Sequence, residues 1–255
     1  MSRRVDFARR GPYHSGSQER RTTNDRFKED GLDVEEKERP IKVDILTVGL
    51  MQTACYVVAD KETDGLLVID PGGDAEMILE SVSMTGCEPA VIVNTHGHGD
   101  HIAANGALKK AYPDAPLCIH RADADMLTDP EKNLSALFDM PVTSPPADRL
   151  LAEGDEMSVG ENTLSVIHLP GHTPGGIGLY WPGTDVVAGM LFCGDTLFAG
   201  GVGRTDFPGG DEKALMACIR GKLFTLPDDT FVLPGHGPAT TIGREKQTNP
   251  FFTSG

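Results

Sequence analysis

The six residues His96-Gly-His-Gly-Asp-His101 constrain this chain more than any other segment. They follow Ala90–Val93, a short apolar run that reads as a buried strand. Side chains alternate along an extended chain, so His96 and His98 point the same way and can grip one metal ion. Asp100 and His101 then fall at the turn into a helix, where they can face a second ion a few ångströms away. Gly97 and Gly99 are expected to permit the tight backbone path this requires. A polar turn of solvated histidines is the competing reading, and it leaves the spacing without a reason.

Three more segments have the same character: Pro170-Gly-His-Thr-Pro-Gly175, Phe192-Cys-Gly-Asp-Thr196 and Pro234-Gly-His-Gly-Pro238. Each sets one imidazole or carboxylate (His172, Asp195, His236) on a glycine-bounded loop at a strand end. Any one of them alone is weak, because Gly and Pro flank many ordinary turns. Together with the first motif they gather five of the eight histidines. Imidazole plus carboxylate suits zinc, iron or manganese, and the lack of cysteine ligands argues against a structural zinc knot. The five cysteines are scattered with no C-x-x-C spacing, which suggests reduced thiols that behave as small hydrophobes. Cys193 is read as core packing, although it lies two residues before Asp195.

Residues 1–40 read as a disordered tail, rich in charge and poor in apolar residues, with a docking or targeting arm as the alternative. From Ile41 the texture changes. Strands are expected at Ile41–Val48, Ala54–Ala59, Leu66–Ile69, Ala90–Val93, Leu117–Ile119, Glu156–Val159, Thr163–Leu169, Ile177–Trp181, Val186–Cys193 and Phe231–Leu233. Helices are expected at Ala75–Met84 with Asp74 as N-cap, at Ile102–Ala111, at Ala122–Leu127 and at Glu212–Phe224. Residues 128–148 hold four prolines and read as loop. Helices between most strand pairs, then a second strand-rich half, predict two sheets with helices outside.

The order HGHGDH, PGHTPG, GDT, PGHG resembles the metallo-β-lactamase superfamily over Ile41 to Phe252. The resemblance implies an α+β chain, a four-layer αββα sandwich, with a catalytic domain at residues 41–255. It also implies the ligand set. His96, His98 and His172 would hold one metal, Asp100, His101 and His236 a second, and Asp195 would bridge them. Asp70, in Ile69-Asp-Pro-Gly, matches a position that supports the ligands from behind. Two divalent ions are implied, zinc first, with iron or manganese as alternatives. The run Gly194–Phe207 and the ending Thr248-Asn-Pro-Phe251 are similar to short bacterial members of the glyoxalase II group. This implies hydrolysis of a thioester, such as a hydroxyacylglutathione, by metal-activated water, with Asp100 also orienting that water. Full-length glyoxalase II carries a C-terminal helical region that helps bind glutathione, whereas here 19 residues follow His236.

Arg204, in a Gly-rich loop just after Asp195, is read as a clamp for a substrate carboxylate, because its fork pairs well with that group. A plain surface arginine is the alternative. His120 and His168 are expected to be satisfied structural groups, and His14 belongs to the tail. Two rival functions stand beside the hydrolase. Persulfide dioxygenases share Gly203-Arg-Thr-Asp-Phe207 and would use one iron on the residues matching His96, His172 and Asp195. A non-enzymatic scaffold would dock a partner through the basic tail.

Charge narrows the partners. The formal net charge is −15, with +5 on residues 1–28 and −20 on the rest. Phosphate neutralisation supplies most nucleic-acid affinity, so a small-molecule substrate is expected and nucleic acid is not. No apolar run approaches the ~20 residues of a membrane span, and no apolar stretch follows the N-terminal arginines. The cytoplasm is therefore the expected compartment, and the sequence is silent on oligomeric state.

Overall fold

The computed structural model describes residues 40–60 and 62–253, and the backbone of residues 20–22. Two mixed sheets are present. The first holds seven strands in sequence order: β1 (Arg20–Thr22), β2 (Ile41–Val48), β3 (Thr53–Asp60), β4 (Leu66–Ile69), β5 (Val91–Val93), β6 (Leu117–His120) and β7 (Arg149–Leu151). It is antiparallel up to β4 and parallel from there. The second holds β8 (Glu156–Val159), β9 (Asn162–His168), β10 (Ile177–Trp181), β11 (Met190–Gly194), β14 (Phe231–Pro234) and β15 (Thr240–Thr241), with β14 parallel to β11. A small ribbon, β12 (Leu197–Phe198) with β13 (Gly201–Val202), stands apart from both.

Alternation along the strands sorts the apolar residues into three seams. Ala54, Tyr56 and Val58 of β3 face the second sheet, whereas Cys55, Val57 and Ala59 face away from it. In β11, Phe192 faces inward, where its ring meets Tyr56 edge-on, and Leu191 and Cys193 face outward. The outer face of the first sheet packs on α1 (Ala75–Thr85) and α3 (Asn105–Ala111) through Ile78, Val82 and Leu108. The outer face of the second packs on α4 (Glu212–Gly221) and α5 (Ile242–Thr248) through Leu215, Ile219 and Ile242. Three seams between four layers make the αββα sandwich that was expected. Strands covered on both faces explain why β3, β4 and β11 read as unbroken apolar runs.

Several local expectations need correction. Ile102–Ala111 is two helices, α2 (Gly99–Ile102) and α3, because the Ala104 N–H donates to Pro71 O at 2.8 Å instead of continuing the ladder. Asp74 occupies the N-cap of α1, but its carboxylate accepts from Gly49 N at 2.8 Å, in the β2–β3 turn. The strand expected from Val186 begins at Met190, since Thr184 closes a turn with Val187. Within residues 128–148, Ser135–Phe138 forms a 3-10 turn. In the segment expected to be a tail, Arg20–Thr22 pairs with β2, whose outer edge offers a row of backbone groups. The rest of that expectation, with His14, lies outside the described residues. No helix among the described residues is long and apolar enough to cross a membrane.

The topology brings the motif loops to one end of the sandwich. The loop after β5 carries His96, that after β9 carries His172, that after β11 leads to Asp195, and that after β14 carries His236. Backbone hydrogen bonds join the two sheets there: Ile177 N to Thr95 O at 2.8 Å, and Ala54 N to Gly235 O at 2.7 Å.

Candidate metal centre

Seven side chains converge at that end. The Nδ1 of His98 lies 3.1 Å from His96 Nε2 and 3.0 Å from His172 Nε2. Asp100 Oδ2 lies 3.2 Å from His236 Nε2 and 3.5 Å from His101 Nε2. Asp195 faces both trios, with Oδ1 3.5 Å from His101 Nε2 and Oδ2 3.6 Å from both His172 Nε2 and His236 Nε2. All six other residues of the expected ligand set are thus within one cluster around Asp195. Two separate groups, His96-His98-His172 and Asp100-His101-His236, each have donor atoms close enough to share an ion, and so does His96-His101-Asp195, which overlaps both.

The far side of the imidazoles fixes which nitrogen faces inward. His172 Nδ1 donates to the Arg204 carbonyl at 2.8 Å, and His101 Nδ1 donates to Asp70 Oδ2 at 3.0 Å. His96 Nδ1 lies 3.1 Å from Thr95 Oγ1, whose own proton goes to Asp70 Oδ2 at 2.6 Å. Asp70 also accepts from Thr95 N at 2.7 Å, and it adopts a left-handed backbone with φ of 50°. This carboxylate stands behind both His96 and His101. Outward-tied Nδ1 atoms turn the Nε2 atoms of His96, His101 and His172 toward the centre.

Two buried atoms there have no hydrogen-bond partner: His101 Nε2 and Asp195 Oδ1. Buried polar atoms are rarely left in this state, and a nitrogen and a carboxylate oxygen facing one gap suit a cation. The charge pattern agrees. Burial and the neighbouring imidazoles hold His96 well below its usual pKa and push His98 down to about 3, which keeps both in the neutral, ligating form. Burial works against charge on His101, but Asp100, Asp70 and Asp195 outweigh it and hold its pKa up at about 10. His236 is raised against its burial by Asp100 and Asp195, and Asp100 lies well below the usual carboxylate range, against its own burial, through His101 and His236.

The sequence reading missed Asp123. This fully buried carboxylate accepts from Gly97 N at 3.1 Å, Thr173 Oγ1 at 2.7 Å and Gly175 N at 2.6 Å. It therefore stitches the His96–His98 loop to the His172 loop. A Cβ on Gly175 would stand 2.6 Å from Asp123 Oδ1, so the glycine of the second motif makes room for it. Gly97 and Gly99 likewise serve space and not torsion: a Cβ would meet Met126 at 2.5 Å and Ser135 at 2.7 Å, and neither has positive φ. Thr53 Oγ1, also missed, donates to Asp100 Oδ2 at 3.0 Å.

Arg204 stands at the rim, and its fork is already engaged. Nε and NH2 each lie 2.7 Å from an oxygen of Asp206, and the guanidinium covers the Phe207 ring at 3.8 Å. Arg204, read as a clamp for a substrate carboxylate, is paired with Asp206, and its backbone carbonyl touches a site histidine. Cys193 is buried and bonds to Leu197 O, which fits core packing. His120 and His168 stack at 4.1 Å and each has a backbone partner, Ala122 N and Pro174 O.

Comparison with known proteins agrees with this geometry. A family model described as the metallo-beta-lactamase superfamily matches residues 48–236. The chain is 37% identical to the probable metallo-hydrolase YqgX of Bacillus subtilis, over 81% of this chain and 95% of that one. It is 36% identical to the hydroxyacylglutathione hydrolase GloC of Haemophilus influenzae, over 84% of this chain and 99% of that one. Among solved structures, the BLEG-1 B3 metallo-beta-lactamase gives a TM-score of 0.76 at 38% identity, covering 83% of this chain and 99% of that one. TTHA1623 in a di-iron-bound form gives 0.70 at 39%, covering 81% and 98%. ETHE1 from Myxococcus xanthus gives 0.67 at 29%, covering 83% and 84%.

Proposed function

Because this chain belongs to the metallo-beta-lactamase superfamily, we propose that it is a metal-dependent hydrolase that cleaves a thioester, such as a hydroxyacylglutathione, with two divalent ions. The observation that carries the reading is a pair of buried atoms without a hydrogen bond, His101 Nε2 and Asp195 Oδ1, facing one another at 3.5 Å. His96, His98 and His172 would hold one ion, Asp100, His101 and His236 the other, and Asp195 would bridge. Such ions would lower the pKa of a shared water from about 15.7 toward about 7 and polarise a carbonyl. The di-iron form of TTHA1623 supports a pair of ions, and the GloC relative supports the thioester.

The rest of the chemistry falls to the chain itself. Asp100 takes a hydrogen bond from Thr53 and stands between His101 and His236, so its carboxylate is fixed to orient the attacking water. Every carboxylate and imidazole lining the cleft belongs to the proposed ligand set. No separate general acid is at hand among the described residues, and a thiolate needs none, since a free thiol has a pKa of about 8.5. An alkoxide or amine would leave far less readily, which favours a thioester over an ester or amide.

Metal analysis with parallel thioester-hydrolysis and oxygen-uptake assays tests the reading. Two equivalents of zinc, iron or manganese with thioester turnover are expected, and turnover should survive deletion of residues 1–40. One tight iron, no second ion after supplementation, and oxygen uptake with a persulfide would replace it with the mononuclear dioxygenase. Loss of a partner protein on that deletion, with no turnover at any metal loading, would leave the scaffold.

A further inference from the structure

The cleft over the centre encloses about 570 Å³, and one wall of it is apolar in an unusual way. Leu50 and Met51 form the tip of the β2–β3 turn and are 82% and 49% exposed; Phe138 ends the Ser135–Phe138 turn and Met140 follows it, and they are 49% and 41% exposed. Turn tips favour Gly, Pro, Asn, Asp and Ser. A single exposed leucine is ordinary, but four large apolar side chains lining one cleft mark a binding surface.

The β2–β3 turn that carries two of these side chains is held in place by hydrogen bonds. The Gly49 N–H donates to Asp74, and Gln52 N–H closes the turn on Gly49 O at 3.2 Å. Both turns pack on the helix that carries Asp100 and His101. Gly72, against which the Leu50 turn rests, touches the Asp100 carbonyl, and Ser135 fills the space beside Gly99. The opposite wall, with Phe198, Val202 and Phe207, flanks His172 and Asp195. Arg204 stands on that second side as the sole Lys or Arg among the described lining residues, and its fork is on Asp206.

We propose that the Leu50–Met51–Phe138–Met140 wall binds an apolar acyl arm, alkyl or aryl, of the thioester substrate. The inference rests on the thioester hydrolase reading and adds its substrate class. The wall beside Asp100 offers no charge to a polar acyl group beyond the ligands themselves. It offers four side chains that lose exposed area when an apolar arm covers them.

The test measures binding to the metal-loaded protein by S-alkyl-N-acetylcysteamine thioethers, from ethyl to hexyl, which carry no scissile carbonyl and no charge. Affinity is expected to rise about two- to fourfold per added methylene. The Leu50→Ser/Met51→Ser double variant alters only exposed positions and should flatten that rise. Affinity that does not change with chain length, or a rise that the double variant leaves intact, overturns the proposal. Thioethers that bind with the expected chain-length dependence, while the matching thioesters are not hydrolysed, would keep the apolar wall and remove the hydrolase reading instead.

Discussion

The trio His96, His98 and His172 contains imidazoles alone, all buried, whereas the trio Asp100, His101 and His236 mixes acid with base and is half open to the cleft. Burial and mutual repulsion keep His96 and His98 neutral, so the first trio would meet an ion as a preformed set of lone pairs. In the second trio the surrounding carboxylates hold a proton on His101 and depress Asp100, so this half supplies its own positive charge when no ion is bound. The backing differs too. Asp123 braces the loops of the first trio from behind, and Asp70 braces His101 of the second. The two adjacent trios thus have opposite electrostatics, and Asp195 faces both.

Removing Asp195 should therefore have the largest effect, because it strikes both halves at once. Asp195→Ala is expected to lose both tight ions and to lower thioester turnover more than 100-fold, beyond the 10–100-fold typical of groups behind the ligands. The fold should persist, since the residue lies on a loop outside the three apolar seams. Elemental analysis, turnover and circular dichroism together check this. Turnover above about a tenth of wild type would remove the bridging role, and loss of one ion alone would assign Asp195 to one trio.

Asp123 and Asp70 sharpen the comparison from behind. Asn at 123 would turn an amide toward the N–H of Gly97 or Gly175, both of which need an acceptor. Asp123→Asn should weaken the first ion by about 10–100-fold in stepwise metal titration and move the second much less. Asp70→Asn should do the reverse for the ion on His101, with some cost to the first through Thr95 and His96. Identical losses of both ions in both variants would mean that the two trios act as one site.

The clustered side chains were legible because a metal site would need particular side chains at short spacings, and all seven sit in four segments of a few residues each. The sandwich was legible because strands covered on both faces read as apolar runs. What escaped depends on contacts between distant segments. Asp123 lies 26 residues from Gly97 and 52 from Gly175, and its neighbours Ala122 and Ala124 give no motif. The break between α2 and α3 comes from Pro71, and the carboxylate of Asp74 was taken by a turn 25 residues earlier. The Asp206 partner of Arg204 was different: it stood two residues away in Gly203-Arg-Thr-Asp-Phe207 and was readable as a competitor for the fork.

That pair yields the smallest expected effect and a clean way to choose between two roles for Arg204. Both side chains are more than half exposed, and exposed pairs of this kind are weak. If Arg204 also reaches a carboxylate of the thiol portion, it must share or leave Asp206 to do so. Arg204→Ala should then raise KM for a glutathione thioester about two- to fivefold with kcat unchanged, because a contact remote from the carbonyl is made in ground and transition states alike. Arg204→Lys should restore part of that loss, since an ammonium cannot form the two-pronged pair. Asp206→Asn should lower KM on the same substrate by freeing the fork, while an N-acetylcysteamine thioester, which has no carboxylate, should respond to none of the three. The opposite result has its own structural cause. The Arg204 carbonyl anchors His172 Nδ1, so a side chain that serves only to brace its loop would disturb the first trio. Equal losses on both thioesters, with weaker binding of the first ion, would make Arg204 a support of His172 and leave the carboxylates of glutathione without a partner in this cleft.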